Sequence, residues 1–389
     1  MGEISGLERV NHIPPIDLRR QYEPISEQVG KAVLEVLNSG RYIGGAKVAE
    51  LERQFATYVG VSECVACHSG TDALYLALRA LEIGEGDEVI TTPFTFAAPT
   101  EAIVMAGATP VFVDIDAASF NLDVNQLEAA ITSKTKAILP VYLFGQPLDM
   151  TRVMVIAQTY HLWVIEDCAQ AIGAQWAGQS VGSLGHVGCF SFFPTKNLGA
   201  CGDGGAVTTN DPATAATVRM LANHGQSDRY FYEATGINSR LDALQAAILL
   251  VKFPYLDFWN QQRRAVARRY QQLLQPLSGI KLPQEPAAGV GVWNQYTIQV
   301  ITNSPSPASY RERVRSRLQQ MGISSMIYYP LPLHLQPVYQ HLGYQCGQLP
   351  VVEQVANEVL SLPMFPDLSM EEQEQVVYGL KDCLDRVGD

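Results

Sequence analysis

The sequence predicts an α/β fold with a mainly parallel central sheet flanked by helices, followed by a smaller C-terminal α+β domain. Three observations support this prediction. Short apolar runs alternate with helical patterns from Glu63 onward, the alternation ends near Asp257 in a long polar helical pattern, and no internal repeat or low-complexity segment interrupts the chain. Parallel sheets bind ligands beyond the carboxyl ends of their strands, so we expect the functional residues just after each apolar run.

The alternation can be followed element by element through the first half of the chain. Short apolar runs alternate with stretches of helical spacing, in the order Cys64–His68 and Asp72–Leu81, Glu88–Thr92 and Phe96–Ala106, Thr109–Val113 and Asp123–Ile131, then Ala137–Leu143, a helix after Asp149, and Leu162–Glu166. A chain that repeats strand and helix in this way covers both faces of its sheet with helices. These elements are expected to form one large domain.

The sequence predicts three parts, an N-terminal arm over 1–27, a large domain over 28–256 and a small domain over 257–389. The arm leads to a helix near Ile25–Leu37. The domain change is placed where composition turns rich in Arg and Gln, and the elements expected beyond it are a helix over Asp257–Leu274, a Pro- and Gly-containing connection near Pro283–Gly291, a strand over Asn294–Ile301, and helices over Arg311–Met321 and Glu371–Arg386.

Length and composition are typical of a compact chain with a sizeable core. The 389 residues are 47% hydrophobic, and the formal net charge is −12, with 27 Lys and Arg against 39 Asp and Glu. A nucleic-acid partner would require a basic face, so we expect none. Phosphorylated small molecules remain compatible with this charge, because a helix N-terminus and a few arginines can bind an anion.

Neither secretion nor a membrane is indicated. Seven Cys is an odd number and no basic segment followed by an apolar stretch opens the sequence, so we expect a cytoplasmic, reduced protein without a disulfide framework. The longest apolar runs, such as Ala246–Val251, fall far short of the ~20 residues that cross a bilayer. No membrane partner is expected.

A candidate phosphate site lies at Ser69-Gly70-Thr71-Asp72, between a strand-like run and a helical one. Gly permits close backbone approach, Thr offers a hydroxyl, and the N–H groups of a first helical turn have no partner inside the helix. The same residues are also typical of an ordinary helix N-cap. On this segment alone, both interpretations stay open.

A candidate acid site follows the apolar run Leu162–Ile165. Asp167, at the ligand edge of a parallel sheet, is suited to hold a proton on a heterocyclic nitrogen, and the Gln170 carboxamide is suited to contact a ring oxygen. The structural alternative is that Asp167 caps a turn.

A candidate nucleophile is Lys196, which lies in the apolar, turn-rich segment Ser191–Gly199 between two strand-like runs. Removal from water favours the neutral, nucleophilic form of a lysine, which suits it to Schiff-base chemistry. Taken together, the three sites match the needs of pyridoxal 5′-phosphate (PLP), whose aldehyde, ring nitrogen and phosphate require a lysine, a carboxylate and a helix N-terminus.

Segments that carry a family resemblance are spread over nearly the whole chain. They are Ser69–Leu74, Pro93–Phe96, Glu166–Gln170, Phe190–Gly199, Gly236–Asp242 and Pro332–Pro337. In this order they resemble the nucleotide-sugar aminotransferases of the DegT type, a branch of the aspartate aminotransferase-like fold. The resemblance implies PLP-dependent transferase fold type I, with PLP as the cofactor.

The resemblance also implies a role for each matched residue. Lys196 would bond to the cofactor's aldehyde and later move a proton between the substrate and the cofactor, and Asp167 would pair with the ring nitrogen. The remaining cofactor contacts implied are the ring hydroxyl for Gln170, the ring face for Phe96, and the phosphate for Gly70, Thr71, Ser191 and, across a dimer interface, Asn238. A homodimer with shared active sites follows.

The reaction implied by the resemblance passes an amino group, usually from glutamate, to a keto group on a nucleotide-linked sugar. Two segments, Leu143–Gln146 and Asn223–Gln226 with Arg229 beyond it, resemble the subgroup that aminates the 3-keto position of UDP-linked N-acetyl-hexuronic acids. Aminotransferases for dTDP-3-keto or UDP- or GDP-4-keto deoxysugars are the alternative.

Three residues are candidates for contact with the sugar. Arg229 could pair with an acidic group through its two-pronged guanidinium, or it is a solvated loop residue. Tyr329 lies in Tyr328-Tyr329-Pro330, which departs from the His-Tyr-Pro expected in the hexuronate subgroup. His334, between two leucines, either lines the mouth of the substrate site or is packed and hydrogen-bonded.

Other interpretations are disfavoured by particular residues. Cys64 and Cys67 have the spacing of a zinc or redox pair, but no second such pair occurs, so two small buried residues are expected and no metal. Gly40–Lys47 lacks the residues of a phosphate-binding loop. Lys196 argues against a dehydratase with His at this position. A non-catalytic PLP-binding regulator would usually carry a DNA-binding module, and the chain has no spare basic segment for one.

Overall fold

The computed structural model describes residues 12–387, so the first part of the predicted arm and the last two residues of the predicted small domain lie outside the described residues. The helices are α1 (Leu18–Tyr22), α2 (Ser26–Ser39), α3 (Ala46–Val59), α4 (Gly70–Ala80), α5 (Ala98–Met105), α6 (Leu127–Ala130), α7 (Met150–Tyr160), α8 (Pro212–Leu221), α9 (Ala243–Lys252), α10 (Leu256–Leu274), α11 (Pro307–Gln320), α12 (Pro350–Glu358) and α13 (Met370–Val387). Among the described helices, none is long and apolar enough to cross a membrane.

The strands divide into one large sheet and three small ones. They are β1 (Glu63–Cys67), β2 (Glu88–Thr91), β3 (Thr109–Phe112), β4 (Thr135–Leu139), β5 (Trp163–Asp167), β6 (Gln175–Trp176), β7 (Gln179–Ser180), β8 (Val187–Ser191), β9 (Gly205–Thr209), β10 (Gln226–Asp228), β11 (Phe231–Tyr232), β12 (Ile280–Lys281), β13 (Gly289–Val290), β14 (Tyr296–Val300) and β15 (Val359–Leu362). The large sheet has the order β1-β9-β8-β5-β4-β2-β3.

The large sheet is parallel except at β9, which runs antiparallel to both β1 and β8. The remaining pairs, from β8 to β3, are parallel. Successive side chains of a strand point to opposite faces of the sheet, and here both faces pack against a hydrophobic core. In β4, for example, Ile138 belongs to one hydrophobic core while Ala137 and Leu139 belong to the other. The predicted fold class is confirmed.

Two predicted elements differ from the structure, each for a local reason. The strand expected over Ala137–Leu143 ends at Leu139, because Pro140 lacks the N–H that would continue the ladder. Residues Leu143–Gly145 then form a 3-10 turn with Phe144 at a positive φ of 59°. The helix expected over Asp123–Ile131 is reduced to a 3-10 turn and the four-residue α6.

A second unit is built from the antiparallel sheet β12-β14-β15 and the helices around it. Its core includes Tyr270 of α10, Val314 of α11 and Val376 of α13. Ile13, from the described part of the N-terminal segment, also lies in this core and donates its N–H to Gly322 O at 2.8 Å. By contrast, α2 packs on α9 of the large unit through Ala32 and Ala247. Helix α10 begins at Leu256, next to the predicted domain boundary at Asp257, and the boundary itself stays a prediction.

Candidate active site

The phosphate candidate is formed by three chain segments packed without spare room. Ser69 caps α4 by accepting the Asp72 N–H at 3.1 Å, so the cap interpretation holds for this residue. A Cβ added to Gly70 would lie 2.7 Å from Ser191 Cβ, and one added to Gly205 would lie 2.3 Å from Ser69 O. The first turn of α4 and the Ser191 side chain are therefore brought together, and their role in phosphate binding stays a prediction.

Asn238 is tied to this same helix end through its neighbour Ser239. The Ser239 hydroxyl donates to Asp72 Oδ2 at 2.6 Å and accepts the His68 N–H at 3.2 Å. Asn238 itself is exposed. Its side chain is therefore available at the protein surface beside the start of α4. Sequence reasoning missed Ser239, although its place directly after Asn238 in a matched segment could have pointed to it.

Asp167 ends β5 between β4 and β8, and it is only 5% exposed. Its Oδ1 accepts the Ala169 N–H at 2.9 Å, so it also fills the turn-capping role considered as an alternative. Burial raises the pKa of Asp167 to about 6, against the opposing effects of the Ala169 N–H and the Lys196 charge. At neutral pH the group is mainly a carboxylate, and a cation placed beside it would be stabilised.

Lys196 lies in a turn in which its N–H donates to Phe193 O at 2.9 Å. Its side chain is partly exposed. Removal of the amine from water lowers its pKa to about 8, and the neighbouring Asp167 charge acts in the opposite direction. A substantial neutral fraction near physiological pH suits this amine to nucleophilic chemistry, and its role as the Schiff-base lysine stays a prediction.

Gln170 and Tyr329 lie beside Asp167, and Phe96 belongs to a loop that contacts the segment after Tyr329. Gln170 is buried and its Oε1 accepts the Phe144 N–H at 2.6 Å, while its side chain also forms a hydrogen bond with Tyr329, whose pKa is raised by burial. Phe96 is 60% exposed, so its ring face is available for stacking. The Leu333 N–H donates to Pro93 O at 2.8 Å and thereby ties the segment after Tyr329 to the loop that carries Phe96.

The other two sugar candidates are not brought to this space in the same way. His334 is 1% exposed, contacts Phe112 and donates its Nε2–H to Glu353 Oε1 at 3.2 Å, so the structure favours the packed alternative over a place at the mouth of the site. Arg229 lies exposed in the β10–β11 hairpin with its guanidinium over the ring of Tyr230, at 5.1 Å from the centroid. Within one chain it is the solvated loop residue of the two alternatives.

A second carboxylate, Glu166, is fully buried next to Asp167 but points to the opposite side of the strand. It accepts the N–H groups of Gly182, Leu184 and Gly185 at 2.8, 2.9 and 2.6 Å. It also accepts the hydroxyl of Tyr142. All these partners are structural, so Glu166 holds the chain leading into β8. The sequence did not distinguish this role.

The Cys64 and Cys67 pair lies in the interior of the large unit. Cys64 and Cys67 are both buried free thiols, which confirms the expectation of two small packed residues. Burial is the main cause that raises the pKa of each. Within residues 12–387, no group of three or more His, Cys, Asp or Glu is placed to hold a metal ion.

The residues present fit PLP. A lysine with a lowered pKa, a buried carboxylate that is ionised at neutral pH and a helix N-terminus closed by a serine meet at the carboxyl edge of one sheet. When bound, PLP supplies an aldehyde that accepts amino groups and a ring that takes up electrons released at the substrate carbon. Fold and site together define a PLP-dependent transferase of fold type I.

Comparison with known proteins extends this assignment. The sequence profile of the DegT/DnrJ/EryC1/StrS aminotransferase family matches residues 24–381, and the chain belongs to that family. Two relatives of similar closeness carry different names. The "Pleiotropic regulatory protein" of Geobacillus stearothermophilus is 49% identical, with 94% of this chain and 97% of the relative covered. The UDP-N-acetyl-3-dehydro-α-D-glucosamine 3-aminotransferase of Acidithiobacillus ferrooxidans is 48% identical, with 96% and 98% covered.

A third relative and two solved structures agree with this family. The UDP-2-acetamido-2-deoxy-3-oxo-D-glucuronate aminotransferase of Pseudomonas aeruginosa is 43% identical, with 91% and 95% of the two chains covered. Crystalline S. venezuelae DesV has a TM-score of 0.92 at 40% identity, covering 96% and 99%. NtdA of Bacillus subtilis, solved with bound cofactor PMP, has a TM-score of 0.89 at 32% identity, covering 97% and 86%. The protein is a PLP-dependent aminotransferase, as the sequence predicted.

Proposed function

We propose that this aminotransferase passes an amino group, supplied by glutamate, to the 3-keto group of a UDP-linked N-acetyl sugar. The observation that carries the proposal is the meeting of Lys196, Asp167 and the start of α4 at one edge of the sheet. In this proposal Lys196 bonds to the cofactor and moves protons at the substrate carbon, and Asp167 holds the proton on the ring nitrogen. The remaining contacts come from Gly70, Thr71, Ser191, Gln170 and Phe96.

The identity of the sugar rests on the relatives. Two of them bear names for 3-amino transfer on UDP-linked acetamido sugars, one a glucosamine at 48% identity and one a glucuronate at 43% identity. We therefore propose the N-acetylglucosamine type first, with the hexuronate as the second candidate.

The proposal also includes a homodimer in which each site receives Asn238 from the other chain. Large apolar side chains are exposed near this residue, among them Ile43 and the hairpin residues Tyr230 and Phe231, at 53%, 71% and 69%. Next to Asn238, a cavity of about 760 Å³ is lined by both Ile43 and Ser239. Exposed apolar patches of this kind are typical of interaction surfaces. If Arg229 contacts a sugar carboxylate, it does so from the partner subunit.

The chemistry is tested on the purified protein with its cofactor. Borohydride should fix PLP to the peptide that contains Lys196, and attachment at another lysine would contradict the assignment. In an untreated sample, the pyridoxamine form of the protein should be converted to the PLP form in a single turnover by one member of a panel of keto sugars. The panel contains UDP-3-keto-N-acetylglucosamine, the corresponding hexuronate, and dTDP-3-keto and 4-keto deoxysugars. Glutamate should regenerate the pyridoxamine form. Bound PLP without turnover on any keto sugar would favour a regulatory protein.

Shared sites are tested by complementation between two inactive variants. Lys196→Ala and Asn238→Ala chains, mixed and allowed to exchange, would form hybrids in which one site has both residues intact. We expect each hybrid dimer to regain one active site, so activity should reappear in the mixture. No recovery in a mixture that demonstrably forms hybrids would contradict the assignment of Asn238 to the partner's site.

A further inference from the structure

Three buried asparagines surround the segment that carries Lys196. Asn197, Asn260 and Asn294 are only 2%, 1% and 5% exposed. They come from three separate parts of the chain, namely the lysine segment itself, the first turns of α10, and the residues just before β14. Buried carboxamides normally have their donors and acceptors paired, and a cluster of paired carboxamides fixes one arrangement of the chain.

The hydrogen bonds of the cluster hold the backbone on both sides of Lys196. The Asn294 Nδ2 donates to Thr195 O at 3.2 Å, one residue before the lysine, and to Asn197 Oδ1 at 2.8 Å, one residue after it. The Asn197 Nδ2 in turn donates to Asn260 Oδ1 at 2.6 Å. The Asn260 Nδ2 donates to Ile172 O at 3.0 Å, in the segment that follows Asp167.

Asn294 is itself fixed by groups outside the cluster. Its N–H donates to Phe144 O at 2.9 Å, and its carbonyl accepts from Arg263 Nη1 at 3.2 Å. Arg263 lies one turn beyond Asn260 on α10, and it is 2% exposed. The Asn294 side chain is therefore a donor whose position is set by α10 and by the turn at Leu143–Gly145, and not by the lysine segment that it holds.

We propose that Asn260 and Asn294 are positioning residues for the Lys196 amine. They act through Asn197 and Thr195, and neither is placed to touch the reacting atoms. A lysine side chain has four rotatable bonds, so its amine is directed only as well as its backbone is fixed. The cluster fixes that backbone relative to Asp167, and so keeps the amine in a position that is partly shielded from solvent. The inference rests on the proposed role of Lys196.

The test measures the amine itself in the full-length, cofactor-free protein. Labelling of Lys196 by an amine-directed reagent is followed against pH by peptide mass spectrometry, and the midpoint gives the pKa of the amine. In the wild-type protein we expect a midpoint near 8, set by burial with Asp167 as the opposing charge. In Asn294→Ala and Asn260→Ala we expect it to move toward the ordinary lysine value. A rise of about one unit would lower the reactive fraction at pH 8 about fivefold.

A matched control separates this role from a loss of stability. Gln373 is a buried carboxamide on α13 that also contacts α10, where its Nε2 donates to Val266 O at 2.9 Å and its Oε1 accepts from Arg269 at 2.6 Å. It has no hydrogen bond to the lysine segment among the described residues. Gln373→Ala should lower the temperature of unfolding and leave the labelling midpoint of Lys196 unchanged.

The outcomes are distinct. Asparagine variants that unfold at lower temperature but keep the wild-type labelling midpoint would overturn the proposal. Because both residues act through Asn197, the double variant should shift the midpoint by less than the sum of the two single shifts. If Asn294→Ala does not fold, Asn260→Ala, which loses one hydrogen bond to Asn197 and one to Ile172 O, gives the same test. Failure of wild-type Lys196 to bond to PLP would instead contradict the proposed function, whatever the labelling midpoints.

Discussion

Replacement of Gly70 by Ala tests whether the start of α4 and Ser191 form one close-fitting phosphate cradle. The added Cβ would lie 2.7 Å from Ser191 Cβ, 3.1 Å from its Oγ and 3.2 Å from its Cα. Carbon atoms in favourable contact are about 3.5–4.0 Å apart, so one of the two segments must move by up to about 1 Å. Either movement separates the helix N–H groups from the serine hydroxyl.

The size of the effect follows from the cost of overpacking. Forcing an extra methyl group into a filled site costs about 1–3 kcal/mol. If this cost appears in cofactor binding, the Kd for PLP rises by about 5- to 150-fold, since about 1.4 kcal/mol is a factor of ten. The assay is a titration of cofactor-free protein with PLP, followed by absorbance, together with the temperature of unfolding of both forms.

Two further variants make the result decisive. Gly30→Ala, in α2, adds a methyl group with no atom within 4 Å, and it should raise the free energy of unfolding by about 0.5–1 kcal/mol and leave PLP binding unchanged. Adding Ser191→Gly to Gly70→Ala removes the two closest contacts, with Cβ and Oγ, but also the hydroxyl, so stability should recover more than affinity. A Gly70→Ala protein that binds PLP within twofold of the wild type would refute the cradle.

Other predictions concern the lysine and the two adjacent carboxylates. The rate at which the cofactor-free protein captures PLP should rise about tenfold from pH 7 to pH 9 and then level off, because the Lys196 pKa is about 8 and the neutral amine is the reactive form. With the ordinary pKa of a lysine, the rate would rise about 100-fold over this range without levelling off. Asp167→Ala should fold normally and lower the single-turnover rate by about 10²-fold or more, and unchanged activity would mean that the carboxylate is misplaced. Glu166→Ala should lower the free energy of unfolding by about 3 kcal/mol or more, measured by urea denaturation, because three N–H groups lose their acceptor; a stability equal to that of Asp167→Ala would contradict the assigned structural role.

The parts of the site that sequence could predict are those set by the topology of a parallel sheet. Gly70 follows β1 and Asp167 ends β5, so the rule that ligands lie beyond strand ends predicts that they lie at the same edge of the sheet. Ser191, at the end of β8, comes from the family resemblance. Lys196 is singled out as an isolated lysine in an apolar turn, and its role stays a prediction.

The parts that sequence could not predict depend on contacts between distant segments. Asn260 and Asn294 lie far from Lys196 in the sequence, and only the folded chain brings their carboxamides to the segment that carries it. His334 shows the same limit, since a histidine between two leucines fits a packed site and an open one equally well until Glu353 is seen beside it. The proposed role of Arg229 requires a partner subunit, which the sequence of one chain does not place.

The reversed strand β9 explains why the lysine lies where the chemistry needs it. Between two parallel neighbours the chain must cross back to the starting edge of the sheet, usually through a helix on one face. Because β9 instead runs antiparallel to β8, the residues between them stay at the carboxyl edge, where β5 ends in Asp167. The same return brings Gly205, the first residue of β9, against the Ser69 carbonyl. One antiparallel pairing therefore keeps Lys196 at the edge where Asp167 lies and brings Gly205 against the start of α4, and the asparagine cluster contacts a segment whose place the sheet already sets.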